Sequence, residues 1–166
     1  NLPYYITTPI LFKLLQDEDR ITSVTVMVQK EVADRMVSEP HSKNYGILSI
    51  MTQYLSIPKI EISVPNSSFI PAPNVESAVI RLEKVKRYEV KNEKIFFELV
   101  HKAFATRRKK MLNSLLNSNF MNIKKDQLEN IMVDLGIDLN VRAEELKIDQ
   151  FIKIADKVYE ISSDNV

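Results

Sequence analysis

An α/β segment running to about Val85 and an all-α segment after it are what this sequence predicts, on three grounds. Strand patterns alternate with helical ones up to residue 85 and cease beyond Lys86, where only helical spacing continues. Charge divides at the same place. Residues 86–125 hold eleven Lys and Arg against three acidic residues, whereas residues 126–166 hold four against ten. The chain also has only two glycines, Gly46 and Gly136, so no nucleotide loop of the Gly-x-Gly-x-x-Gly kind can be written. The expected domains are therefore 1–85 and 86–166.

The elements follow in order. Thr7 or Thr8 can cap a first helix, with Pro9 in its opening turn and Leu15 near its end. Residues 21–28 (Ile-Thr-Ser-Val-Thr-Val-Met-Val) are rich in β-branched side chains and end in an apolar run, the pattern of a buried strand. Residues 30–38 form a short amphipathic helix with Val32, Met36 and Val37 inward. Residues 45–55 form another, carried by Ile47, Ile50, Met51 and Tyr54. Residues 59–64 alternate as a strand. So do residues 76–82, with Ala78, Ile80 and Leu82 on one side and Val79 and Arg81 on the other. Between these strands, residues 65–73 carry three prolines with Asn66, Ser67 and Ser68, an ordered turn-rich loop. In the second segment Phe96, Val100 and Phe104 share one stripe of a helix over 93–104. Further helices are expected over 111–116, 125–135 and 148–161, with Gly136 as the C′ residue of the helix over 125–135.

Composition narrows the chemistry. With 45% hydrophobic and 27% charged residues over 166 positions, one or two small folded domains are expected. No apolar run approaches a bilayer's thickness, so no membrane association is expected. There is no cysteine, which excludes disulfides and cysteine-ligated zinc. The two histidines, His41 and His101, lack ligand spacing, and no metal is expected. Cytoplasm is the expected compartment. One basic block between neutral and acidic stretches points to a localised anionic partner, with nucleic acid first.

Three patterns carry chemistry. In Asn1-Leu2-Pro3-Tyr4, Asn1 offers a side-chain acceptor and the Leu2 carbonyl a backbone acceptor. Pro3 stiffens the loop without donating, and Tyr4 offers a face on which a base can stack. Two acceptors around an exocyclic amine would hold its nitrogen in line for attack, and catalysis would be mainly positioning. In Phe69-x-Pro71-x-Pro73-x-Val75-x-Ser77, prolines hold an aromatic side chain on a stiff loop backed by a strand. In Phe104-Ala105-Thr106-Arg107-Arg108-Lys109-Lys110, one continuous helix would put Arg108 on the apolar stripe of Phe104, Met111 and Leu115. Either Arg108 snorkels or the helix breaks near Thr106, and a break would present residues 107–110 as a cluster suited to phosphates.

The opening tetrapeptide resembles the catalytic motif of adenine-N6 methyltransferases, and the Phe69 loop resembles their second motif. Three further stretches fit in order: Val28-Gln29-Lys30-Glu31-Val32-Ala33 with Tyr45-Gly46-x-Leu48-Ser49, the run from Phe104 to Leu115, and Arg142-Ala143-Glu144-Glu145-Leu146 with Phe151. Together they resemble the small-subunit ribosomal RNA adenine dimethyltransferases. That resemblance implies the C-terminal half of a Rossmann-like class I methyltransferase domain followed by a small helical RNA-binding domain. It implies dimethylation of N6 on two adjacent adenosines near the 3′ end of small-subunit rRNA, with S-adenosyl-L-methionine as donor and the immature small ribosomal subunit as partner. Tyr4 and Phe69 would sandwich the extruded adenine, while Asn1 and the Leu2 carbonyl orient its amine. Asn1 would also touch the donor, and Arg107, Arg108, Lys109 and Lys110 would hold RNA backbone.

The family's cofactor-binding half is missing from this sequence. The chain alone is therefore expected neither to bind the donor tightly nor to methylate RNA. Residues 21–28 would stand at an open edge and promote self-association. Two alternatives share many of these features: a large-subunit rRNA adenine dimethyltransferase of the macrolide-resistance type, and a non-enzymatic RNA-binding assembly factor. The Leu of Asn-Leu-Pro-Tyr and the Arg-Arg-Lys run favour the small-subunit type over the first.

Overall fold

Residues 4–17, 20–106 and 108–163 are described by a computed structural model. Their contacts separate into two units: residues up to Glu39 with Leu48–Arg87, and Pro40–Ile47 with the residues from Tyr88 onward.

The first unit holds α1 (Tyr4–Asp17), β1 (Ser23–Gln29), α2 (Lys30–Met36), nearly all of α3 (Ile47–Leu55), β2 (Ser56–Val64) and β3 (Ser77–Lys84). The sheet order is β1-β3-β2, and both pairings are antiparallel. The outer strands are therefore parallel to each other, with β3 between them. Ala78, Ile80 and Leu82 of β3 are fully buried, as their alternation predicts. They pack with Leu11 and Leu15 of α1, Val24 and Val28 of β1, and Ala33 and Met36 of α2.

Several boundaries differ from expectation. The first helix begins at Tyr4, a turn earlier than a cap at Thr7 or Thr8 would allow, and Pro9 lies inside it. There Pro9 leaves the Tyr5 carbonyl without its usual i+4 donor. The buried face of Leu11 and Leu15 outweighs that local penalty. The helix expected from residue 45 begins at Ile47. Its buried side includes Ser49, Thr52 and Gln53 as well as Ile50 and Tyr54. Ser49 and Gln53 are buried because they complete the end of α2. Ser49 Oγ donates to the Arg35 carbonyl at 2.6 Å, and Gln53 Nε2 donates to the Met36 and Ser38 carbonyls at 3.1 and 2.8 Å. Those carbonyls are among the unpaired acceptors that every helix C-terminus leaves.

The second unit holds α4 (Glu93–Ala103), α5 (Met111–Asn117), α6 (Lys125–Asp134) and α7 (Ile148–Ser163). Asn92 caps α4, its side chain accepting from the Ile95 amide at 3.2 Å. The predicted stripe of Phe96 and Val100 is fully buried, joined by Leu99, Met111, Leu115, Leu128, Met132, Phe151 and Ile154. Residues 40–47 belong to this unit, although the sequence placed them before the boundary at 85. Tyr45 is buried, donates from its hydroxyl to the Leu146 carbonyl at 3.0 Å, and meets Phe104 edge-on. The His41 amide donates to the Glu144 carbonyl at 2.9 Å.

Gly136 ends α6 as expected. Its φ is +66°, its amide donates to the Val133 carbonyl at 2.9 Å, and the Ile137 amide donates to the Met132 carbonyl at 2.8 Å. This is the Schellman arrangement. No atom lies within 4 Å of where a Cβ would stand, so a substitution there is opposed by backbone conformation alone. Gly136→Ala is expected to lower unfolding free energy by about 1–2 kcal/mol, and Gly136→Asn by less. Urea unfolding followed by circular dichroism measures both.

Lys91 ties the segment before α4 to α7. Its amide donates to Asp156 Oδ1 at 2.8 Å, and its ammonium to Glu160 Oε1 at 2.5 Å. The hydrogen bonds from Lys91 and then Lys157 hold the Glu160 carboxyl below its ordinary value of 4.5. A depressed carboxylate stabilises the fold above its unfolded value, and that contribution disappears as pH falls through the folded one. The stability difference between the natural chain and Glu160→Gln should therefore be present above pH 4.5 and diminish as pH falls below it. Urea midpoints across that range test it; a difference independent of pH would contradict the tie.

Candidate nucleic-acid interface

Asn1, Leu2 and Pro3 lie outside the described residues. Tyr4 is the first residue of α1, and its side chain is likewise outside the description. The second predicted feature is fully placed. Residues 65–76 leave the carboxyl end of β2 and return into β3, closed at the base by the pairing of Val64 with Ser77. Gln29, the carboxyl end of β1, pairs with Ser77 from the other side. The loop therefore stands at the carboxyl ends of two parallel strands, the end of an open α/β sheet where ligands bind.

The loop is held at both ends. Asn66–Ser68 form a single 3-10 turn, with the Ser68 amide donating to the Pro65 carbonyl at 3.1 Å and the Phe69 amide to the Asn66 carbonyl at 3.2 Å. At the far end, the Lys30 amide donates to the Glu76 carbonyl at 3.0 Å, and the Lys30 ammonium to Glu76 Oε2 at 2.7 Å. That hydrogen bond, and then the attraction of the Glu76 charge, raise the Lys30 ammonium above its ordinary value. The Ile70–Pro71 peptide is cis. Phe69 is half-buried, whereas Ile70 is wholly exposed. Sequence reasoning assigned no role to Lys30 or Ile70. Lys30 was hidden because its partner is 46 positions away. Ile70 could have been noticed as a bulky aliphatic residue beside Phe69 in a loop without charge.

The basic run sits in the second unit. The helix breaks where Arg108 would have entered the apolar stripe: α4 ends at Ala103, and α5 starts at Met111. Residues 104–106 turn away, and the Lys109 amide donates to the Thr106 carbonyl at 3.0 Å. A hydroxyl–hydroxyl hydrogen bond between Thr106 and Ser114 closes the turn against α5. Arg108, Lys109 and Lys110 are exposed; Arg107 lies outside the described residues. Lys110 is partly committed, its ammonium donating to Asn140 Oδ1 at 2.6 Å. Lys102, near the end of α4, donates from its ammonium to the Ser118 carbonyl at 3.1 Å.

Other features limit what these residues hold. Neither glycine cradles a ligand: Gly46 has open space where a Cβ would stand, and Gly136 caps α6. Among the described residues no group of three or more His, Cys, Asp or Glu could hold a metal, and no helix is long and apolar enough to cross a membrane. A cleft of about 360 Å³ in the second unit is lined by His41, Asp138, Asn140, Glu145 and Gln150 among others. Several of these polar groups are already engaged: Asp138 accepts from Asn140, Glu145 from the Arg142 amide, and Gln150 from the Lys147 amide.

Comparison with known proteins gives the family. The family model described as Ribosomal RNA adenine dimethylase matches residues 1–160. The chain is similar to the protein named Ribosomal RNA small subunit methyltransferase A of Oceanobacillus iheyensis, 44% identical over 98% of this chain and 56% of the relative. The protein of that name from Anoxybacillus flavithermus is 47% identical over 97% and 56%. Among solved structures, a dimethyladenosine transferase from Plasmodium falciparum superposes with a TM-score of 0.82 at 23% identity, covering 100% of this chain and 66% of that one. The 23S rRNA methyltransferase ErmE superposes at 0.64 and 21%, covering 95% and 63%. These two structures speak to fold alone, and the chain spans a little over half the length of its curated relatives. On the family match across residues 1–160 and on these identities, the chain belongs to the ribosomal RNA adenine dimethylase family.

Proposed function

We propose that this chain forms the target-base and RNA-contact portion of an enzyme that dimethylates N6 of two adjacent adenosines near the 3′ end of small-subunit rRNA. The observation that carries this reading is identity of 44–47% over nearly the whole chain to proteins named Ribosomal RNA small subunit methyltransferase A. That naming favours the small-subunit reaction over the large-subunit one, to which the likeness is a matter of fold. The partner is small-subunit rRNA in the immature subunit, in the cytoplasm. The donor of the whole enzyme is S-adenosylmethionine, with Asn1 as the one residue of this chain assigned to it.

The sheet supports the reading. At 1.5 Å per residue α1 is about 21 Å long, close to the roughly 23 Å of β1. Leu11 and Leu15 of α1 pack with Val24 and Val28 of β1. A helix folded back along its strand begins near the strand's carboxyl end. On this reading Tyr4 begins α1 toward the end of the sheet from which Phe69 rises, as two sides of one base pocket would require. Asn1 and the Leu2 carbonyl then accept from the adenine amine, while Tyr4 and Phe69 stack on its ring at about 1–3 kcal/mol per base. Arg107, Arg108, Lys109 and Lys110 bind phosphates, which positions the RNA without reading its sequence.

Filter binding to small-subunit rRNA fragments across a salt series tests this. Binding should fall with salt and prefer fragments that keep the 3′-terminal hairpin. Arg108→Ala with Lys109→Ala should reduce the slope of log K against log salt by about 1–2. Indiscriminate binding, or an unchanged slope, would defeat the assignment of these residues.

The sheet also supports self-association. β1 is an edge strand among the described residues, and it ends in an apolar run, so its outer side is a template for another strand. We expect dimers or larger species in multi-angle light scattering. Thr25→Lys, which puts a charge at an exposed position of β1, should shift them toward monomer. A monodisperse monomer from the unsubstituted chain would contradict the edge's role.

A further inference from the structure

Ile70 is fully exposed, at 101% of its reference area, and it stands beside Phe69 at the tip of an anchored loop. The loop around it carries no charge. Residues 65–75, Pro-Asn-Ser-Ser-Phe-Ile-Pro-Ala-Pro-Asn-Val, contain no Lys, Arg, Asp or Glu. Such a stretch has no cation for a phosphate. It offers nucleic acid only apolar side chains and neutral hydrogen-bonding groups, which suit bases and their stacks.

Its stiffness matters as much. Pro65, Pro71 and Pro73 each fix a backbone φ. The 3-10 turn holds one end, and the Lys30–Glu76 contacts hold the other. A side chain presented this way loses little conformational freedom when it enters a crowded site. The backbone at Phe69 is extended, with φ −121° and ψ 149°, so the side chains of Phe69 and Ile70 project to opposite sides. One is half-buried and the other points into solvent.

We propose that Ile70 is an apolar wedge that enters the base stack beside the extruded adenine, occupying the space left as Phe69 receives the base. Aliphatic side chains are used this way by proteins that unstack a step. Extruding a base is costly because its neighbours lose their stacking partner. An isoleucine in the gap restores contact and keeps the base from returning. The side chain therefore acts on the flipping equilibrium and not on phosphate binding. This inference rests on the RNA-substrate reading above.

The test uses the 166-residue chain with the hairpin RNA carrying 2-aminopurine next to the target adenosines, alongside a fully paired duplex. Unstacking raises the fluorescence of the probe. Ile70→Ser should weaken hairpin binding by about tenfold, from the loss of one buried aliphatic side chain, and abolish most of the fluorescence rise. The salt slope should not change, since no phosphate contact is lost. Ile70→Leu should restore both signals, and neither variant should alter the thermal unfolding midpoint. If Ile70→Ser matches the unsubstituted chain while that chain prefers the hairpin, the wedge is wrong and the RNA reading stands. Equal weakening on the paired duplex, or a lowered unfolding midpoint, would also overturn it, by making Ile70 a general contact or a structural one. If the unsubstituted chain does not bind the hairpin, both readings fall together.

Discussion

The register of β3 is the constraint on which the first unit depends. Ala78, Ile80 and Leu82 are all fully buried. A slip of one residue would turn all three outward and bring Val79 and Arg81 into the core. Locked in this way, Ser77 fixes the level at which Gln29 of β1 and Val64 of β2 end. The loop of residues 65–76 and the start of α2 are therefore set at the same end of the sheet before any ligand is considered. β2 accommodates the arrangement with a bulge: Ile60 faces Ile80 and Ile62 faces Val79, leaving Glu61 as the extra residue. Bulges concentrate near functional sites because they re-aim the strand that carries them.

What could be read from the sequence was what depends on local pattern. The alternation at Ala78, Ile80 and Leu82, the stripe through Phe96 and Val100, and the glycine stop at 136 all rest on neighbours within a few positions. At Arg108 local pattern left two outcomes, a snorkelling side chain or a break near Thr106, and the structure has the break, with α4 ending at Ala103. Buried polar residues were not legible. Periodicity counts apolar side chains, so Ser49 and Gln53 read as the wet side of a helix until their acceptors at Arg35, Met36 and Ser38 are seen. Thr52, buried beside them, has a hydroxyl without a hydrogen-bond partner, and nothing in the structure explains it. The Lys30–Glu76 anchor was invisible for a related reason, being made by two ends of a fold and not by a motif. In the candidate site, Phe69 and residues 108–110 were found as residue types, whereas the exposure of Ile70 and the partial commitment of Lys110 to Asn140 required coordinates.

The nucleic-acid contacts proposed for the two units differ in chemistry. Residues 65–75 of the first carry no charge and are stiffened by prolines, so contacts made there would depend on shape and stacking and resist salt. The turn of the second carries exposed Arg108 and Lys109, and contacts of such residues with phosphates would release counterions and weaken as salt rises. On the proposed reading, position along the RNA is set by one set of residues and the base that reacts by another. Such a division makes the two contributions separable by ionic strength, which no arrangement with lysines in the base loop would permit.

The chain does not pass from one unit to the other by a single linker. It leaves the first after Glu39, returns at Leu48, and leaves again after Arg87. The excursion is held by more than proximity. Tyr45 is buried, bonded to Leu146 and packed on Phe104, which in turn stacks on Phe151. A cut at residue 85, natural from composition, would take Tyr45 out of the helical core and leave the Leu146 carbonyl without that donor. Losing a buried aromatic costs about 3–5 kcal/mol, comparable to the whole stability of many small domains. The helical unit is therefore completed by a segment that lies between two elements of the sheet unit. Residues 40–47 are held in that core by the Tyr45 hydroxyl on the Leu146 carbonyl, the Tyr45 ring on Phe104 and the His41 amide on the Glu144 carbonyl, contacts that a boundary drawn at residue 85 would divide.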